Sequence, residues 1–153
     1  MGITVMGIDP GQAGAIALLR EGGGVEHWKM PATERDLLYL LLDHVSAGML
    51  ADPVVYLEQV GPMPKQGVSS TWKFAQHYGS LRMAVMAVGF QLNLVTPQKW
   101  QKEMGCRSHG DKNVTKAKAQ QLFPAIKVTH ANADALLIAA YGYRQITGVS
   151  WSG

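Results

Sequence analysis

Cysteine is almost absent from this chain: Cys106 is the only one in 153 residues. An intramolecular disulfide and a Cys/His zinc cluster are therefore excluded, and the chain suits a reducing interior. Charge is also scarce, with 16% charged residues against 47% hydrophobic and a formal net charge of +3. So small an excess admits a polyanionic partner without requiring one. No apolar run approaches the ~18 residues that cross a bilayer, and no basic-then-apolar leader opens the sequence. A cytoplasmic protein with no membrane partner is the expectation. Repeats and low-complexity tracts are missing as well. The length suits one domain with a real core, expected over residues 1–148, with 149–153 as a flexible tail.

Hydrophobic patterning and turn chemistry predict strands at 3–8, 14–19 and 25–29, joined by short turns as an antiparallel meander. A helix is expected over 33–45, with Thr33 as cap and Glu34 and Asp36 in its first turn. A buried strand follows at 54–58, then a Pro- and Gly-rich loop over 61–67 and a long helix over 69–88 stopped by Gly89. After a strand at 91–95, Thr96 caps a short helix through Met104, with Pro97 at its first position. Asp111 caps a helix over 112–122, and a last helix covers 131–145. The order β-β-β-α-β-α-β-α-α-α reads as α/β: a mixed five-stranded sheet with helices on both faces, the ribonuclease-H-like layout.

Three carboxylates stand at the ends of apolar elements. Asp9 closes Val5-Met6-Gly7-Ile8 before Pro10-Gly11, Glu58 closes Val54-Val55-Tyr56-Leu57, and Asp134 opens the run from Ala135 to Ala140. Burying an unpaired charge is costly, so such acids are expected in a cleft facing a cation. In this layout the first and fourth strands are neighbours, which brings Asp9 beside Glu58, and the last helix adds Asp134. His130 lies about one helical turn before Asp134 and can face the same point. Oxygen donors of this kind suit magnesium, which needs few protein carboxylates when substrate phosphate is present. Taken singly, each residue has a plainer reading. Asp9-Pro10-Gly11 makes an ordinary turn, Glu58 a surface strand end, Asp134 a partner of a helix dipole, and His130 a polar loop residue.

Together these segments resemble the RuvC family of Holliday junction resolvases, in its short phage or prophage form. Gly7-Ile8-Asp9-Pro10-Gly11 is similar to the first family motif and Leu57-Glu58-Gln59-Val60 to the second. Val95-Thr96-Pro97-Gln98-Lys99-Trp100 resembles the segment opening the later helices. Asp111-Lys112 with Lys116 and Lys118 resembles the basic helix, and Ala133-Asp134-Ala135-Leu136 the final acidic motif. The resemblance implies a homodimer that binds four-way DNA junctions. It would make paired symmetric nicks with two Mg2+ or Mn2+ ions per active site, leaving 5′-phosphate and 3′-hydroxyl ends. It would act in a bacterial or phage-infected cell. Asp9, Glu58 and Asp134 would be catalytic metal ligands, one ion activating water and the other stabilising the leaving 3′ oxygen.

Two departures matter. Many relatives carry a fourth carboxylate three residues before the last; here that position is Ala131, with His130 as the best substitute and Asn132 a poorer one. The junction-wedging aromatic of the bacterial enzyme corresponds to Gly61, with Met63 as an apolar alternative. Expected DNA-binding residues are Lys65, Ser69, Ser70, Lys73, Lys99, Arg107, Lys112 and Lys116, with Lys118 on a different helix face. Trp72, Phe74 and Tyr78 are expected in the core or a dimer contact. The long helix is the expected dimer seam, with Ala75 and Ala84 allowing close approach. Two other readings stay open: a broader branched-DNA debranching nuclease, and a non-catalytic junction-binding protein.

Overall fold

The computed structural model describes residues 2–46 and 51–153. Three strands open the chain: β1 (Thr4–Asp9), β2 (Ala15–Arg20) and β3 (Gly24–Lys29). There follow α1 (Glu34–Leu42), β4 (Val54–Glu58), α2 (Val68–Ala87), β5 (Gln91–Val95), α3 (Pro97–Glu103), α4 (Lys112–Leu122) and α5 (Ala133–Thr147). The sheet order is β3-β2-β1-β4-β5. β1 runs antiparallel to β2 and parallel to β4, so Asp9 and Glu58 leave the sheet at the same edge on neighbouring strands. The α/β architecture and the adjacency of the first and fourth strands are those expected from the sequence.

Alternation along the strands divides the core between the two faces of the sheet. Val5, Ala17 and Leu19 turn toward α5, together with Trp100, Phe123 and the buried length of α5. Met6, Ile8, Ile16, Leu18, Val55 and Leu57 turn toward α1 and α2, meeting Leu37, Leu41, Leu81 and Val85. Residues of opposite parity face opposite layers because successive strand side chains alternate.

The helix starts follow their caps. Thr33 Oγ1 accepts from the Asp36 N–H at 3.1 Å, Thr96 Oγ1 from Lys99 N–H at 3.4 Å, and Asp111 Oδ1 from Asn113 N–H at 2.9 Å. These contacts satisfy backbone donors that the first turn leaves free. Helix α1 is shorter than the expected 33–45. Its end tightens into i→i+3 bonds, His44 N–H to Leu41 O and Val45 N–H to Leu42 O, the geometry of a closing 3₁₀ turn. Helix α5 begins two residues later than expected, at Ala133, and runs to Thr147.

The tail expected to be loose is anchored at Trp151. Gly148 adopts φ 76° at the end of α5 and its N–H bonds the Arg144 carbonyl at 2.8 Å. The chain turns back there, and Trp151, 5% exposed, stacks on Phe123 and meets Tyr143 edge-on. Burying so large an indole outweighs the ordering of a few polar residues.

Helix α5 packs closely on the sheet at Gly7. A Cβ there would collide with the backbone of Ala135 and Ala139, and one at Gly142 would collide with Tyr56 and Val5. Helix α5 thus lies directly on β1, at a separation only glycine and alanine permit. Gly7→Ala should destabilise the fold by about 3 kcal/mol, the upper end for overpacking, because backbone rather than a flexible side chain blocks the added methyl. Denaturant unfolding of the two proteins measures this; an unchanged midpoint would contradict the close approach.

Candidate active site

The three sequence-selected acids converge. Asp9 is the last residue of β1, Glu58 the last of β4, and Asp134 the second of α5. The tight turn after Asp9 is closed by Gly14 N–H to Gly11 O at 3.0 Å. Gly14 packs on the Asp9 carbonyl with no room for a Cβ. Asp134 comes from the other side because α5 rests on Gly7.

Burial and proximity both act on the acids. Burial, then Glu58 and Asp134, push the Asp9 carboxyl up to about 8, with Lys112 opposing. Burial raises Glu58 to about 7, and Asp134 adds to this against a hydrogen bond from Trp100. Burial also raises Asp134, opposed by Thr115, Lys112 and His130. Each shift has the direction expected for carboxylates crowded in a poorly solvated pocket.

Several neighbours hold the acids in place. Trp100, wholly buried on α3, donates its indole N–H to Glu58 Oε2 at 2.7 Å. The other Glu58 oxygen has no hydrogen-bond donor among the described residues. Thr115 is buried on α4 and has one hydroxyl proton for two acceptors, the Lys112 carbonyl at 3.3 Å and the Asp134 carboxylate. The carboxylate is the stronger acceptor. The motif that contains Trp100 assigns it no role, and Thr115 lies outside every motif. The indole's position just inside a Thr-Pro helix start was the available signal for the first. Nothing in the sequence marks Thr115, whose role arises from how α4 packs on α5.

His130 precedes α5, so the helical-turn relation to Asp134 is not formed. It is exposed in the preceding turn, yet close enough to favour the Asp134 carboxylate. Asn132 is committed to structure: its Oδ1 accepts from Thr129 N–H at 2.7 Å and its Nδ2 donates to Lys127 O at 3.2 Å.

The basic and hydroxyl candidates fall into two groups. Lys112 stands beside Asp9 and Asp134, and Lys116 follows one turn along α4, half-buried. Lys99 on α3 and Arg107 after it are exposed. Lys118 instead approaches Cys106. The second group approaches from α2. Lys65 lies in the preceding loop, and Ser69, Ser70 and Lys73 lie in the first turns, all exposed. The serines do not cap, because the helix starts at Val68 behind Gly67 without a side-chain cap. Phe74 abuts Gly11, and burial with a further contribution from Glu58 raises the Tyr78 phenol, so this helix borders the acids.

Among the described residues no three His, Cys, Asp or Glu side chains form a ready metal cage. The donor chemistry nevertheless fits a hard divalent cation. All three acids offer oxygen, and their raised pKa values show that each carboxylate is short of positive partners in this pocket. Magnesium keeps several waters and takes substrate phosphate oxygens, so a tight protein cage is not required.

The same crowding sets a pH dependence. An unfolded Asp9 titrates near 3.8 and the folded one at about 8, so between these values the folded state binds more protons. Metal-free stability should therefore fall as pH rises across that window, and Glu58 acts in the same sense. Thermal melting at pH 5.5 and 8 should show a lower midpoint at pH 8. Asp9→Asn, or added magnesium, should reduce the difference. A difference that survives both unchanged would mean that groups other than Asp9 set the pH dependence.

No family model and no curated protein matches the sequence. Two solved structures from Thermus thermophilus match nearly the whole chain. RuvC in complex with Holliday junction substrate has a TM-score of 0.62 at 16% identity, covering 97% of this chain and 98% of that one. A second RuvC structure has a TM-score of 0.64 at 17% identity, with the same coverage. The likeness is one of fold, and it agrees with the resemblance read from the motifs: the chain has the ribonuclease-H-like α/β fold of RuvC.

Proposed function

We propose that this protein is a divalent-metal-dependent endonuclease that resolves four-way DNA junctions as a homodimer. The observation that carries the reading is the convergence of Asp9, Glu58 and Asp134, each raised in pKa chiefly by burial, at one edge of a RuvC-like sheet. A RuvC of this fold is seen with a Holliday junction.

In this reading Asp9, Glu58 and Asp134 would hold Mg2+ or Mn2+, with His130 as a fourth donor where relatives have a carboxylate. The bound cations would activate water and stabilise the charge developing on phosphate and leaving oxygen. Trp100 keeps one Glu58 oxygen fixed so that the other can turn to the site. Lys112, beside two of the acids, draws the phosphate toward them. Water adds to phosphorus, the bond from phosphorus to the 3′ oxygen breaks, and that oxygen takes a proton. The products are a 5′-phosphate and a 3′-hydroxyl. Lys65, Ser69, Ser70, Lys73, Lys99, Arg107 and Lys116 supply backbone contacts that make binding salt-dependent.

One observation favours a broader debranching nuclease. The loop after β4 has Gly61 where an aromatic wedge is expected, and Met63, 71% exposed, is its one large apolar tip. Cleavage of a labelled four-way junction, a Y-fork and a linear duplex with Mg2+, Mn2+ or EDTA separates the readings. Paired nicks in the junction alone support resolution, whereas cutting of every branched form supports debranching. Binding without cleavage in either metal would favour an architectural protein. Asp9→Asn and Glu58→Gln should lower cleavage at least a hundredfold while sparing junction binding. His130→Ala should impair cleavage more than binding.

The dimer rests on the outer face of α2. Val68, Trp72, Ala75, Gly79, Met83 and Met86 share one stripe at helical spacing, and Trp72 is 66% exposed. An antiparallel copy centred on Gly79 would place Trp72 against Met86 and Ala75 against Met83, a self-complementary pairing. Ala84, expected in this seam, instead packs against the protein's own core. Gly79→Arg should shift the protein from dimer to monomer in analytical ultracentrifugation. A dimer unaffected by Gly79→Arg and by Met83→Glu would place the seam elsewhere.

A further inference from the structure

Between the start of α1, the turn after β1 and the first half of α2 lies a cavity of about 610 Å3. That volume is within the range of small-molecule sites. We propose that this cavity takes one unpaired nucleotide of the branched substrate, drawn out of the stack beside the phosphate at the acid cluster. The inference rests on the nuclease reading above and adds to it a pocket that reads a base.

The cavity lies beside the acids. The cavity wall begins at Gly11 and Gln12, immediately past Asp9-Pro10. A strand whose phosphate reaches Asp9 therefore passes the mouth. On α2, Gln76 borders the dimer stripe, while Ser70, Lys73, Phe74, His77 and Ser80 lie about 60° or more beyond its edges, so a second copy on that stripe leaves most of the cavity open.

Lys73 and Ser70 line the cavity and can meet a phosphate. Phe74, also in the wall, already stacks on Tyr78 with centroids 6.2 Å apart and planes at 15°. An aromatic there extends naturally to a stacked base. Gln76 offers an amide that can both donate to and accept from a base edge. Glu34 has Oε1 engaged by the Ser80 hydroxyl at 2.6 Å. Its second oxygen can accept from an exocyclic base amine, and its charge turns a phosphate away from that part of the wall. A cation and hydroxyl for the phosphate, a ring for the base face and an amide and carboxylate for its edge describe a nucleotide better than an apolar peptide.

Bases at a branch point are the easiest to extrude, because their stacking is already disturbed. The test places 2-aminopurine singly at positions around the branch of a synthetic junction and adds protein in EDTA, with gel shift reporting binding. Fluorescence should rise several-fold at one position near the branch. Ala32→Trp, which covers the mouth, should abolish the rise, and Phe74→Ala should weaken junction binding roughly tenfold. Gln76→Leu, on an exposed helix position, should diminish the rise without unfolding the protein, with thermal melting as the check. Bound junction with no brightened position, or a rise that persists in Ala32→Trp, would overturn the inference while leaving the nuclease reading intact. Failure to bind the junction would instead overturn the nuclease reading, and the pocket's proposed occupant with it.

Discussion

The site depends on how closely α5 can lie on β1. Asp9 is delivered by a strand and Asp134 by a helix, and two such elements normally stand apart by the width of their side chains. Gly7 on the strand and Ala135, Ala139 and Gly142 on the helix remove that width. The acids converge because small residues, themselves without chemistry, let the backbones touch. Helix α5 is buried from Ala133 to Tyr143 apart from Asp134. Apolar burial thus fixes the helix, and the helix fixes the acid.

Convergence has an energetic cost that the surrounding groups reduce only in part. Three carboxylates in a poorly solvated pocket repel one another and lose hydration. Trp100 relieves Glu58, Thr115 relieves Asp134, and Lys112 relieves both Asp9 and Asp134. None of them turns the site into a neutral ion-pair network, and Asp9 remains raised to about 8. A packed fold tolerates such local strain when the rest of the core over-determines it, and strain of this kind collects at functional sites. A cation that displaced the protons would relieve this cost, because it would supply the positive partner the carboxylates lack.

Much of the fold was legible because several signals agreed locally. Thr33, Thr96-Pro97 and Asp111 each marked a helix start that the structure realises. The strands at 54–58 and 91–95 were bounded by turn chemistry on both sides. Asp9 and Glu58 were legible as neighbours because each ends an apolar strand and the element order makes those two strands adjacent. Properties set by tertiary contact were not legible. His130 was read on a helix that begins only at Ala133, because the Asn132 side chain holds the preceding turn through Thr129 and Lys127. Trp151 follows a glycine in a polar stretch and looks loose until Phe123 and Tyr143 are placed beneath it.

Helix α2 shows what low charge means for a small protein. Its inner face joins the core through Leu81 and Val85. Its outer face leaves Trp72, Met83 and Met86 in water, and the side toward α1 borders the cavity. A contiguous apolar stripe is unfavourable on a free surface, and a second copy, as proposed above, would cover it. The same helix touches the site: Phe74 rests against Gly11, and Tyr78 lies within the field of Glu58. Association, base capture and the acid cluster would then share one rigid element. A helix spanning all three would couple them through its backbone, so that a shift at such a seam would reach the walls of the site instead of being absorbed by a loop.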